Sequence, residues 1–161
     1  MVEPRFAALA ADLENELRQI DALLEELAML RSGLPDPPTS LDLRAAGSIL
    51  HDFYRGAERM FQRIAGALDR DVPTDPNWHV ELLQRMGYAI SGVRPALVSS
   101  DLRERLSDYL RFRHLFRNVY GRSLRWELMR VLIDELPDLH NQFRNEVGDF
   151  LRFLNGLAGG A

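Results

Sequence analysis

The 161-residue chain has no cysteine and no lysine. The missing cysteines exclude a disulfide framework, a thiolate zinc site and a cysteine nucleophile together. No apolar run approaches the roughly eighteen residues that a membrane-spanning helix needs. Met1-Val2-Glu3-Pro4-Arg5 leads directly into an amphipathic pattern, without the basic and then apolar stretches of a secretory signal. A cytoplasmic protein that does not engage the membrane is expected. Glycine and proline are sparse, at 11 and 8 residues, and 46% of the chain is hydrophobic. That is the composition of a globular chain, and residues 1–161 read as one domain able to bury a core unaided.

Because lysine is absent, all twenty basic residues are arginine. Eight of them fall between Arg103 and Arg130, against four acids in segment 101–130 (Asp101, Glu104, Asp108 and Glu127). That segment is therefore +4, and the remainder carries −8 of the net −4. A basic, arginine-only stretch on an acidic chain suits a phosphate or an acidic partner, and is equally what a solvated helix face looks like.

Hydrophobic periodicity predicts helices and no strands. Leu13, Leu17, Ile20, Leu24 and Leu27 recur at three-and-four spacing over about residues 5–31. The proline cluster at 35–38 ends this helix. A second helix runs to about Arg70 with a wider face (Ala46, Ile49, Leu50, Phe53, Ala57, Met60, Phe61, Ile64, Leu68), and is the expected central helix. A short third helix fits Trp78 to Met86, capped by Asn77, followed by an irregular 87–99. Ser100 or Asp101 opens a fourth helix, with Glu104 placed for a capping box and Gly121 as its stop. A fifth region begins near Ser123, is interrupted or kinked at Pro137, and continues through Leu154. The fold class is all-α, an antiparallel bundle of about five helices.

The fourth helix carries the most chemistry. Leu102, Leu106, Tyr109, Phe116 and Tyr120 form its apolar stripe, and Arg113 lies on that stripe, seven residues from both Leu106 and Tyr120. A guanidinium among core positions is costly unless it is paired and hydrogen-bonded. Arg113, Arg117 and Tyr120 share a face, His114 stands three before Arg117, and Asn118 one turn after His114. Such a set suits metal-independent phosphodiester chemistry on RNA, an imidazole moving a proton near neutral pH while arginine holds the phosphate. In the plainer reading Arg113 pairs with a core acid such as Asp52 or Glu58, His114 is a surface residue and Tyr120 packs. His51 is a weaker candidate for catalysis, and His79 and His140 read as structural or surface residues. None of the four His has the paired spacing of a zinc helix, so neither a metal nor another cofactor is expected.

The run Arg-Phe-Arg-His-Leu-Phe-Arg-Asn-Val-Tyr at 111–120 resembles the HepT-like ribonuclease toxins of the HEPN superfamily. Ile49-Leu50-His51-Asp52-Phe53-Tyr54 with Gly56 and Glu58-Arg59, then Trp78-His79 with Glu81-Leu82-Leu83, then Gly92-Val93-Arg94-Pro95-Ala96, look like further segments of that family in the same order. The resemblance implies a HEPN-like bundle that forms a homodimer, with the arginine-bearing helices of two protomers lining one cleft where RNA is cut. It also implies a small nucleotidyltransferase antitoxin as partner, which in some systems adds AMP to the motif tyrosine, here Tyr120. Arg113 and Tyr120 fit the ends of the family motif, but its histidine position holds Asn118. An amide does not titrate near neutral pH and cannot serve as a general acid or base.

Three readings follow: a naturally degenerate member, a version inactivated on purpose, or a chain in which His114 supplies the imidazole. The site expected from sequence is thus Arg113, Asn118 and His114 for catalysis, with Arg117 and Arg111 for RNA binding. The function expected is an RNA-cleaving toxin of a bacterial toxin-antitoxin pair. The alternative is a HEPN-fold protein that binds a nucleotidyltransferase antitoxin or RNA without cleaving.

Overall fold

An amphipathic helix gains most of its stability by burying its stripe against another element. The computed structural model describes residues 3–118 and 124–159. Within them the chain forms α1 (Pro4–Ser32), α2 (Ser40–Ile64), α3 (Trp78–Met86), α4 (Ser100–Asn118) and α5 (Trp126–Ala158), and no strand. The stripe of α1 (Leu9, Leu13, Leu17, Ile20, Leu27) is buried, and α1 packs on α2 and α5. Leu24, expected on the same stripe, lies at its half-buried margin.

The second helix is central, as its broad apolar face predicts: it touches each of the other four. Its start is fixed by a reciprocal capping box. The Thr39 hydroxyl accepts the Asp42 N–H at 3.2 Å, and the Asp42 carboxylate accepts the Thr39 N–H at 2.8 Å. Its far end loosens into a π-turn at Ala65–Asp69 and stops at Arg70, which takes the left-handed φ of 57°. Midway, Phe53 is fully buried and meets Tyr109 of α4 at 5.6 Å and Phe143 of α5 at 6.1 Å, both edge-on. One aromatic knot therefore joins α2, α4 and α5.

The irregular 87–99 stretch is tied into the core by polar bonds. Arg94 is fully buried and clasps Asp69 through two hydrogen bonds of 2.7 and 3.0 Å, while its Nη1 reaches the carbonyls of Tyr88 and Pro95. A buried guanidinium needs this many acceptors. The carbonyl of Met86 takes the N–H groups of Leu97 and Val98, so the loop folds back over the end of α3.

Three local expectations are corrected. Asn77 stands at the N-cap of α3 but makes no side-chain capping bond. Helix α4 opens at Ser100 as expected, but its cap is Ser99 rather than a box of Asp101 with Glu104: the Ser99 hydroxyl accepts the Leu102 N–H at 3.1 Å, and its own N–H is taken by Glu146 of α5. Pro137 does not interrupt α5, which runs continuously from Trp126 to Ala158. The proline removes one ladder donor, whereas Leu136 and Leu139 on either side are fully buried and hold the helix in place. The expected boundaries at Gly121 and Ser123 lie outside the described residues.

Asp21 joins α1 to α5, accepting from Arg144 at 2.6 Å and bonding His140 Nε2 at 2.7 Å. The bond from Arg144 is the main cause that holds its carboxyl below the usual carboxylate value, against the opposing effect of burial. A carboxyl with a depressed folded-state pKa contributes stability that is present above its unfolded pKa of about 3.9 and lost as pH falls through the folded value. Asp21→Asn should therefore lower the melting temperature at neutral pH and flatten its dependence below about pH 4, measured by circular dichroism. An unchanged slope would show that this carboxyl does not couple the two helices.

Candidate functional site

Tyr54 and Glu58 stand one turn apart on the buried face of α2, so their side chains lie side by side. The Glu58 carboxylate is almost wholly buried, with a side chain 4% exposed, and cannot rest there alone. It is held from two other helices at once. Its Oε1 lies 3.3 Å from Nη2 of Arg113 on α4, and its Oε2 accepts the Nδ1–H of His79 on α3 at 2.6 Å. Arg113 thus sits in the wall of the core, as its place on the apolar stripe requires, and its partner is Glu58. Asp52, the other candidate, is half exposed and faces His51 at 3.4 Å.

The cluster is compact and polar. The Tyr54 hydroxyl and the Arg113 Nε are buried and have no hydrogen-bond partner among the described residues. Burial, and then the nearby Glu58 carboxylate, push the Tyr54 phenol far above its ordinary range, while Arg113 pulls the other way. Tyr54 is therefore a neutral donor at any physiological pH.

Arg113 and His79 both face an open cleft of about 1070 Å³ between α3 and α4. Arg103, Arg111, His114 and Arg117 line it too, with Asp101 and Glu104 as its acids. The site residues expected from sequence therefore divide. Arg113, His114, Arg117 and Arg111 share one cleft, with His114, Arg117 and Arg111 exposed and Arg113 buried. Arg111 is paired with Asp108 one turn before it. Asn118 is the last residue of α4. Its side chain, and Tyr120 altogether, lie outside what the structure describes.

The other histidines separate clearly. His140 is buried against Asp21 on the α1–α5 side. His51 meets Phe116 in a tilted contact, centroids 5.3 Å apart, close to where Gly47 lets α4 approach α2. A Cβ at Gly47 would stand 2.8 Å from the Phe116 ring, closer than real contacts come. His79, expected to be a structural or surface residue, is one fifth exposed, joined to a buried carboxylate and also present in the cleft. Its only sequence signal was the segment Trp78-His79; its partner lies 21 residues away on another helix. Among the described residues no three His, Asp or Glu side chains converge as metal ligands would, and no helix is long and apolar enough to cross a membrane.

The arrangement offers a fixed guanidinium, exposed arginines and imidazoles in one open, basic groove. Its cornerstone is testable. Removing one partner of a buried pair leaves an uncompensated charge and costs about 3–5 kcal/mol. Glu58→Ala should destabilise the protein by about that amount, whereas Asp52→Ala should change stability by about 0.5 kcal/mol or less. Urea unfolding reads both, and equal costs would contradict the assignment of Glu58 as the partner of Arg113.

No curated protein and no solved structure matches the chain. A family model described as HepT-like protein matches residues 45–154, which span most of α2, all of α3 and α4, and nearly all of α5. The match covers well over half of the chain and contains Glu58, His79, Arg113 and Asn118 in the helices just described. On the helical fold and this match, the chain belongs to the HepT-like family of the HEPN superfamily.

Proposed function

We propose that the protein is the toxin member of a bacterial toxin-antitoxin pair and cleaves RNA without a metal ion, at a cleft assembled in a homodimer. The observation that carries this reading is Arg113, a cation anchored by Glu58 in the wall of a cleft that also presents Arg111, Arg117 and His114. An anchored guanidinium is suited to the charge that builds on a phosphorane, because it need not reorganise as the reaction proceeds. The exposed arginines would hold the neighbouring phosphates, and such contacts make binding weaken steeply with salt. The cleft fits a chain of phosphates better than a small neutral ligand. Family membership supplies the expectation of an antitoxin partner, a small nucleotidyltransferase for which Tyr120 is the acceptor of AMP.

A second reading is favoured by one residue. Asn118 at the motif's histidine position cannot carry a proton, so a chain that relies on that position binds RNA or its antitoxin without cutting. The two readings part in an assay of labelled RNA with EDTA present, comparing wild type with Asn118→His and Arg113→Ala. If wild type relies on position 118, cleavage by Asn118→His should exceed it by about 10²–10⁴-fold, the usual worth of a general acid or base, and cleavage should vanish in Arg113→Ala. If folded, dimeric Asn118→His free of antitoxin and AMP leaves RNA intact, the non-cleaving module is the correct reading.

The homodimer has its own test. Leu115 on the last turns of α4, and Leu128 and Val131 on the first turns of α5, are each more than half exposed, at 55%, 60% and 53%. Exposed aliphatic side chains on the last turns of α4 and the first turns of α5 are the kind of surface that a second copy covers. The double variant Leu128→Glu/Val131→Glu should convert the dimer to a monomer of unchanged helicity in sedimentation velocity. Persistence of the dimer would remove this end of the bundle from the interface.

A further inference from the structure

Catalysis of RNA cleavage needs a group that moves a proton, and the α4 motif lacks one at position 118. The structure holds an imidazole elsewhere in the same cleft. His79 is the second residue of α3, its ring is one fifth exposed, and it lines the groove with Arg113. Glu58 is the element that relates the two. One carboxylate oxygen fixes the guanidinium at 3.3 Å and the other takes the Nδ1–H of His79 at 2.6 Å. A carboxylate oxygen accepts, so in this bond Nδ1 carries the hydrogen, and Nε2 is the ring nitrogen left to exchange a proton. The bond also sets the plane of the ring, which lies against Trp78 with centroids 3.5 Å apart and a tilt of 32°. A ring fixed in tautomer and plane, with a buried carboxylate behind it, is the arrangement by which serine hydrolases prepare a histidine as base.

The remaining imidazoles are placed differently. His140 is buried against Asp21 away from this groove, and His51 packs against Phe116. His114 also lines the cleft, from an exposed position on α4.

We propose that His79, oriented by Glu58, is the proton carrier of this cleft and performs the work of the imidazole that position 118 does not supply. The proposal rests on the RNA-cleaving reading above. Nε2 of His79 takes the proton from a ribose 2′-hydroxyl as the 2′-oxygen forms its bond to the adjacent phosphorus. The bond from phosphorus to the 5′-oxygen breaks, and that oxygen takes a proton from water. The products are a 2′,3′-cyclic phosphate and a 5′-hydroxyl end, and the imidazolium returns its proton to solvent. Glu58 stabilises the imidazolium while it lasts, and Arg113 faces the charge on the phosphorane. Glu58 is thus a positioning residue for both groups, and no oxidant, reductant or further reactant enters.

The discriminating variant is His79→Asn. An asparagine amide nitrogen can stand where Nδ1 stands and donate to Glu58, so the support of Arg113 is retained while the titratable nitrogen is removed. The assay follows a labelled RNA with EDTA present, and binding is followed separately by anisotropy with a 2′-O-methyl RNA that cannot be cut. Wild type should cleave, and His79→Asn should lose about 10²–10⁴-fold in rate with binding held within about twofold and melting temperature little changed. Imidazole added to His79→Ala should restore part of the rate, and the double variant His79→Asn/Asn118→His should recover cleavage through the second imidazole.

Equal cleavage by wild type and His79→Asn would overturn the proposal and leave the ribonuclease reading standing. Cleavage by Asn118→His with none by wild type would do the same. Intact RNA with every variant, Asn118→His included, would instead defeat the ribonuclease reading, and this proposal with it.

Discussion

The polar side of the structure is organised by one buried carboxylate. Glu58 faces away from water on the central helix, and such a charge is tolerated only when donors surround it. The donors come from α3 and α4, so satisfying Glu58 fixes where those two helices stand relative to α2. The cleft between α3 and α4 is the outer side of that requirement. The buried Arg113 and the His79 imidazole are in place because both donate to the same core acid, and the Tyr54 phenol, kept neutral by burial, completes the cluster from α2.

The basic stretch of the chain has several roles once it is folded. Arg105 turns to α5, where it meets Asp138 and Gln142, and Arg130 faces Asp134 one turn along its own helix. These are scaffold contacts of modest individual worth. Arg103, Arg111, Arg113 and Arg117 line the cleft. The positive charge legible in composition is thus partly a stitching of α4 to α5 and partly the lining of a groove. Arg94, outside the stretch altogether, has a side chain wholly withdrawn from solvent and serves the loop that closes over α3.

Much of the fold could be read from the sequence because it rests on local periodicity. The stripe from Leu13 to Leu27, the broad face from Ala46 to Ile64 and the short run from Trp78 to Met86 each repeat at helical spacing, and each became the expected helix. Errors fell where a distant residue decides the local structure. Ser99 caps α4 with its own N–H anchored to Glu146, 47 residues away, and Pro137 passes through α5 because buried leucines flank it. The site divides in the same way. Arg113 stood out as a charge at a core position, a contradiction visible within one helix. Its partner could only be narrowed to Asp52 or Glu58, because sequence spacing does not show which face of α2 turns toward α4. His79 gave no comparable sign: a histidine near the start of a helix becomes informative only when a carboxylate on another helix is seen to hold it.

Gly47 has a different kind of importance. The ring of Phe116 occupies the space where any other residue would carry its β-carbon, and it also stacks on Phe112 and packs against His51. The final turn of α4, which leads into Asn118, is therefore seated on bare backbone of the central helix. Positions 47 and 116 consequently form a single steric unit, one large because the other is empty. Divergence at either is constrained by the other: a β-carbon gained at 47 is tolerated only with a smaller or displaced ring at 116, and the hinge of that displacement would be the very turn that presents the motif.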